Sequence, residues 1–84
     1  MYFVRWSARA TEMLARLWNG GDSSLRTYLT LAASEIDRQL ARDADNCGES
    51  RTRGRRVLFV WPLGVLYRVL PDGKTVRILK IWPY

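Results

Sequence analysis

The basic residues are those whose chemistry indicates a function most clearly in this sequence. The planar guanidinium group of arginine donates hydrogen bonds in a fork that fits phosphate and carboxylate groups, so clustered arginines predict binding to an anion. Four arginines lie within six positions, at Arg51, Arg53, Arg55 and Arg56. The competing interpretation of this cluster is a solvated loop beside a strand.

Two further cations and two aromatic residues extend this candidate surface. Arg68 and Lys80 fit either a cationic pair on an open sheet face or ordinary solvent-facing positions, and the sequence leaves both open. Trp82 and Tyr84 lie close to Lys80 in the sequence. Of these, Trp82 is the aromatic residue that we most expect to contact a partner. Other aromatic side chains, Tyr67 among them, are predicted to pack in the core.

Several chemistries are excluded by what the sequence lacks. It contains no histidine and one cysteine, Cys47. A tetrahedral zinc site, a nucleophile activated by an imidazole and an internal disulfide are therefore ruled out, and no cofactor is expected. No signal peptide or apolar membrane span is evident, and a lone thiol fits a reducing compartment. We expect a soluble cytoplasmic protein.

The size and charge of the chain narrow the function further. Its 84 residues (9.8 kDa) predict one small domain over residues 1–84, without room for a deep catalytic cleft. The net charge is +6, and it is unevenly distributed. Residues 1–47 contain six arginines and six acidic residues, whereas residues 48–84 contain six arginines and two lysines against Glu49 and Asp72. The C-terminal half is therefore expected to face an anionic partner.

The first half of the chain is predicted to form a strand and two helices. Residues 2–6 alternate in the manner of a strand. Ser7 is a suitable N-cap for a first helix, which is predicted to end at Gly20 and Gly21. Asp22 can cap a second helix, which has a long apolar stripe. The polar segment 43–53 has no periodicity, which indicates a loop.

The second half alternates with period two, which predicts three antiparallel strands near 55–61, 65–70 and 74–82. Two tripeptides, Pro62-Leu63-Gly64 and Pro71-Asp72-Gly73, are typical of three-residue hairpin loops. Such loops place odd-numbered residues on one face, predicted to be the core: Val57, Phe59, Trp61, Val65, Tyr67, Val69, Leu79 and Ile81. Even-numbered residues then form an open face that is both apolar and basic: Leu58, Val60, Leu66, Ile78 and Trp82 with Arg56, Arg68, Lys74 and Lys80.

This order of elements resembles the RelE/ParE superfamily of type II toxin–antitoxin toxins. The resemblance covers nearly the whole chain and is carried by the segments 48–51, 55–59, 62–69 and 76–82. It implies an α+β fold of order β-α-α-β-β-β, in which a helical hairpin packs on a small, mainly antiparallel sheet. It also implies a bacterial protein of the plasmid-stabilisation type, a cognate antitoxin as partner, and either the ribosome with its mRNA or DNA gyrase as target.

The residues match the two branches of this superfamily unequally. Nucleases of the RelE type commonly have an arginine where this sequence has Gly64, and they carry basic residues and a tyrosine after the last strand, where it has Pro83 and Tyr84. Arg55 matches a position that is basic in the nucleases. The leading hypothesis is therefore a ParE-like or degenerate toxin. A ribosome-dependent mRNA endoribonuclease and a non-toxic basic module that binds nucleic acid or protein are the alternatives.

Overall fold

The computed structural model describes residues 1–84 and has the predicted α+β architecture. Both helices pack against one face of a five-stranded sheet of order β1-β5-β4-β3-β2, in which only β1 and β5 are parallel. A two-residue strand, β2, lies within the segment predicted to be a loop. The elements are β1 (Phe3–Trp6), α1 (Ala8–Gly20), α2 (Ser23–Asp43), β2 (Glu49–Ser50), a 3-10 turn (Thr52–Gly54), β3 (Arg55–Val60), β4 (Leu63–Val69) and β5 (Thr75–Pro83).

The helix boundaries follow from their caps, as the sequence predicts. The side-chain oxygen of Ser7 accepts a hydrogen bond from the backbone N–H of Ala10 at 3.1 Å. Asp22 accepts one from the backbone N–H of Leu25 at 2.8 Å. Each cap satisfies a donor that the first helical turn leaves free, so α1 and α2 begin where these residues stand.

No helix has the length and apolar character needed to cross a membrane.

The core lies between the helices and the sheet. In the apolar stripe of α2, the side chains of Leu29, Ile36 and Leu40 are at most 1% exposed. It packs against the inward-facing side chains of β4 and β5, among them Val65 and Ile78, which are fully buried. Burial of this surface is the main stabilising contribution to the fold, and it commits one face of the sheet to the helices.

The first hairpin loop was predicted at the wrong position and with the wrong length. Val60 pairs with Leu63, so the loop consists of two residues, Trp61 and Pro62, joined by a cis peptide bond. Odd residues of β3 consequently face away from the helices. Phe59, predicted in the core, is 48% exposed, and Val57 also lies on the outer face. Trp61, also predicted in the core, is 58% exposed in the loop, where its ring packs edge to face against Tyr28 of α2. The inward positions of β3 are Leu58 and Val60, which were predicted to be outward.

The second predicted hairpin loop is also wrong. Val69 pairs with Val76, and the Leu70 N–H donates to the Thr75 carbonyl oxygen at 2.8 Å, so the turn is one residue longer than predicted. The longer turn places Ile78 in the core and leaves Leu79 outside it. A bulge at Leu79 then restores the predicted parity, because Tyr67 pairs with Ile78 but Leu66 pairs with Lys80. The predicted inward positions of β4 (Val65, Tyr67 and Val69) and Ile81 of β5 are confirmed as members of the core or of the layer packed against it.

Candidate functional site

Four arginines form a row across the sheet face that the helices leave open. Cα partners in the ladder join Arg5 of β1 to Arg77 of β5, Arg77 to Arg68 of β4, and Arg68 to Arg55 of β3. Residues paired in this way project from the same face of the sheet. Since neighbouring strands lie about 4.8 Å apart, the row is roughly 14 Å long. We call these four residues the arginine row.

The arginine row has no acidic partner within the protein. The two ion pairs of the structure lie elsewhere, between Arg38 and Glu35 and between Arg51 and Glu49. Like charges directly opposite each other on neighbouring strands are destabilising, so the row works against the stability of the fold. Such an arrangement is typical of a surface that binds an anion, because an anion would remove the repulsion.

A groove lies beside the arginine row along β5. Its first part has a volume of about 430 Å³ and is lined by the beginning of α1 and by strand residues that include Arg55, Arg77 and Lys80. Arg9 and Lys80 also line a second part of about 220 Å³. The free backbone N–H groups at the start of α1 add positive partial charge to the first part. We call the two parts together the β5 groove.

Aromatic side chains occupy the other end of the open face. The ring of Phe59 packs edge to face against Trp82 and Tyr84, with centroids 6.0 Å and 5.2 Å apart. The Lys80 ammonium lies 5.9 Å from the centre of the Trp82 ring. Trp82 itself lies over Gly64, its partner on β4, so closely that a Cβ at Gly64 would overlap the indole. The open face therefore combines cations with an exposed aromatic cluster.

The four arginines clustered at residues 51–56 do not form one surface in the structure. Arg55 belongs to the arginine row, whereas Arg56 donates hydrogen bonds to the carbonyl oxygens of Cys47 at 3.0 Å and Gly48 at 3.2 Å. Arg51 pairs with Glu49 at 3.1 Å, and Arg53 is an exposed residue of the 3-10 turn. Arg56 thus holds the loop before β2 against the sheet, and the cluster contributes one side chain to the open face.

Of the other predicted site residues, Arg68, Lys80, Trp82 and Tyr84 all lie on or beside the open face. Three arginines of this surface were not singled out from the sequence. The alternation of β1 placed Arg5 on one side of its strand, but nothing in the sequence paired β1 with β5. The predicted register placed Arg77 at the rim of the sheet, and no pattern in the sequence singled out Arg9. The parallel β1–β5 pairing brings all three to one region.

The buried phenol of Tyr67 has a structural role. Its hydroxyl lies 2.6 Å from the carbonyl oxygen of Cys47 and 3.0 Å from that of Ala44, within donating distance of each. Burial raises the pKa of Tyr67, the neighbouring Cys47 raises it further, and Arg56 partly opposes the shift. The phenol therefore stays protonated at neutral pH, which makes it unsuitable as a general base. No group of three or more acidic or cysteine side chains could hold a metal ion.

Comparison with known proteins found similarity in three-dimensional structure. No protein-family model matches the sequence, and no curated protein sequence matches it. A chain of the chromosomal ParDE toxin–antitoxin system from P. aeruginosa is similar to this chain with a TM-score of 0.80 at 24% identity, covering 99% of this chain and 96% of that chain.

Two further solved structures extend the likeness. A chain of the toxin–antitoxin complex RelBE2 from Mycobacterium tuberculosis has a TM-score of 0.77 at 22% identity, with 99% of this chain and 91% of that chain covered. The isolated RelE toxin from E. coli has a TM-score of 0.65 at 15% identity, covering 99% of this chain and 84% of that chain. At these identities the likeness is one of fold.

Proposed function

Because this chain has the fold of the RelE and ParE toxins, we propose that it is the toxin of a type II toxin–antitoxin module, acting in the cytoplasm and held inactive by a cognate antitoxin. The arginine row is the observation that carries the proposal. Arg5, Arg55, Arg68 and Arg77 lie side by side without an internal acidic partner. A surface of this kind suits an anionic target and an antitoxin that covers it.

A ParE-like or degenerate toxin, with a target such as DNA gyrase, fits the open face best. Cleavage of RNA through its 2′-OH requires groups that move protons as well as cations that stabilise the developing charge. The position of the nuclease arginine is Gly64, and Trp82 covers it. Tyr67 is buried and bound to backbone carbonyls, so it offers no proton-transfer group to the open face.

A ribosome-dependent mRNA endoribonuclease is the second candidate, and one observation favours it. The arginine row and Lys80 place several cations on the face that also carries exposed aromatic rings, Phe59 and Tyr84. Cations that follow a phosphate backbone beside aromatic rings that stack on bases are typical of surfaces that bind single-stranded nucleic acid. In this candidate the exposed phenol of Tyr84 and the Lys80 ammonium would be the groups that move protons.

Induced expression in bacteria tests the proposal. We expect growth to stop when the chain is expressed alone and to resume when its antitoxin is expressed with it. Normal growth at confirmed soluble expression would contradict a toxin and favour a non-toxic basic binding module. If growth stops, a DNA supercoiling assay with purified gyrase and primer extension on translated mRNA separate the two candidates, since each target predicts one positive assay.

A further inference from the structure

The β5 groove changes character along its length. Its first part is lined by Arg9, Arg55, Arg77 and Lys80. Its second part keeps Arg9 and Lys80 but adds the apolar side chains of Met13 and Trp82, beside the buried residue Ile81. We propose that this groove is the docking site of an extended segment of the antitoxin that places acidic side chains at the Arg9–Arg77 end and an apolar side chain at the Met13–Trp82 end. The inference rests on the proposed function, which supplies the antitoxin.

Charge complementarity identifies the acidic end of the segment. All four ionisable side chains that line the first part are cations, and no acidic residue lines either part. Arg9, Arg55 and Arg77 take part in neither ion pair of the structure. The start of α1 adds its positive end at Ser7 and Ala8. Carboxylates that enter this part would gain charge-assisted hydrogen bonds without displacing an existing partner.

The apolar end distinguishes a peptide from a nucleic acid. Met13 offers no flat surface on which a base could stack, and the Trp82 ring already packs over Gly64 and against Phe59. Both side chains pack well against an aliphatic side chain. Single-stranded nucleic acid carries a phosphate at every step, and the phosphates beside Met13 and Trp82 would face apolar atoms. A peptide can be acidic at one end and apolar at the other, so it fits both parts.

The length of the groove sets the length of the segment. The strand residues that line it run from Arg77 to Trp82, which spans roughly 16 Å of strand. About five residues of extended peptide cover this distance. Acidic residues two positions apart in such a peptide lie about 7 Å from each other on one side, so two carboxylates can reach the cationic part together.

The experiment begins with recovery of the antitoxin. A library of source-genome fragments is selected for a fragment that restores growth to cells expressing this chain, and the encoded protein is purified. Its affinity for the wild-type chain is measured by calorimetry beside the variants Arg9→Ser, Arg77→Ser and Met13→Ser. Lys74→Ser is the matched control, because it removes an exposed cation of the β4–β5 turn outside the groove. Thermal unfolding verifies that each variant is folded.

We expect each arginine variant to bind the antitoxin roughly tenfold more weakly and to lose part of the salt dependence of binding, since a charged hydrogen bond is removed. Met13→Ser weakens binding without changing the salt dependence, and Lys74→Ser binds as the wild type does. Among overlapping synthetic peptides of the antitoxin, the one that binds contains at least two acidic residues beside an aliphatic residue.

The results separate the inference from the proposed function. If an antitoxin restores growth but binds Arg9→Ser and Arg77→Ser with wild-type affinity, the groove is not its docking site and the proposed function stands. If the same variants instead weaken binding of a single-stranded oligouridine probe, the groove is a nucleic-acid site and the inference is overturned. If expression does not stop growth, or no fragment restores it, the proposed function and the inference fail together.

Discussion

The indole ring of Trp82 on β5 covers Gly64 on β4 so closely that the two residues must be considered as one unit. They are Cα partners in the ladder, and a Cβ at position 64 would overlap the ring. The pair accounts for the glycine at the position where the resemblance to nucleases of the RelE type implies an arginine. An arginine there would have to displace Trp82, and with it the edge-to-face contact to Phe59.

The substitution Gly64→Ala should destabilise the fold by about 2 kcal/mol, because the added methyl group forces the indole away from the sheet. The free energy of unfolding in guanidinium chloride measures this change. Gly20→Ala is the matched control, since no atom lies within 4 Å of a Cβ at that position. In a Trp82→Ala background the cost of Gly64→Ala should disappear, and a cost that persists there would contradict the stacking account.

Replacement of Arg68, one of the two inner members of the arginine row, should stabilise the protein. Arg68 lies between Arg55 and Arg77 in the ladder, so Arg68→Thr removes two like-charge contacts and adds a residue that suits a strand. We expect a gain of about 0.5 kcal/mol at low salt. Urea unfolding at low and high salt measures it. A gain that does not shrink as salt is added would indicate a cause other than charge repulsion.

The neighbouring arginines 55 and 56 should behave differently when each is replaced by methionine. Arg56→Met removes two hydrogen bonds to the loop carbonyls of Cys47 and Gly48 and should cost about 1.5 kcal/mol of stability. Arg55→Met leaves stability nearly unchanged and should weaken toxicity, because Arg55 belongs to the open face. Thermal unfolding and growth after induction measure the two effects. The reverse pattern would show that Arg56 belongs to the functional surface.

The β4–β5 turn should lose stability in acid. The Asp72 carboxylate accepts hydrogen bonds from the backbone N–H groups of Lys74 and Thr75 and from the Thr75 hydroxyl, and these hold the pKa of Asp72 below its usual range. The stabilisation is therefore complete above the unfolded-state pKa of about 4 and is lost as the pH falls through the lower folded-state pKa.

Comparison with Asp72→Asn isolates this contribution, because other carboxylates also titrate in acid; hydrogen bonding to Arg38 and Gln39 lowers the pKa of Glu35 to about 2. The melting temperature of the wild-type chain should fall more steeply below about pH 4 than that of Asp72→Asn. Parallel curves for the two proteins would show that the carboxylate does not stabilise the turn through its charge.

Features set by nearby residues could be predicted from the sequence. The caps at Ser7 and Asp22 and the order of the elements depend on local patterns, and the structure has them. The register of the strands depends on single residues that periodicity does not reveal: a two-residue loop at Trp61 and Pro62, a β4–β5 turn one residue longer than predicted, and a bulge at Leu79. The two loop errors moved side chains to the other face of the sheet, and the bulge restored the predicted parity at the end of β5.

The candidate site was predicted only in part, because it too depends on the register of the strands. Arg55 stands out as a member of the cluster at residues 51–56, and Arg68 and Lys80 stand out because they interrupt apolar strands. Arg5 joins them only through the parallel pairing of β1 with β5, which links residues more than 70 positions apart in the sequence. A cross-strand row of like charges is a property of the register, so it becomes visible only when the register is known.

Bacterial growth tests the role of the arginine row most directly, when the wild-type chain and the double variant Arg68→Ser/Arg77→Ser are induced at matched soluble expression. These two positions are the central pair of the arginine row. We expect the wild-type chain to stop growth and the double variant, which remains folded, to leave growth normal. Normal growth with the wild-type chain, or full arrest with the double variant, would contradict the assignment of the arginine row as the surface through which a toxin acts.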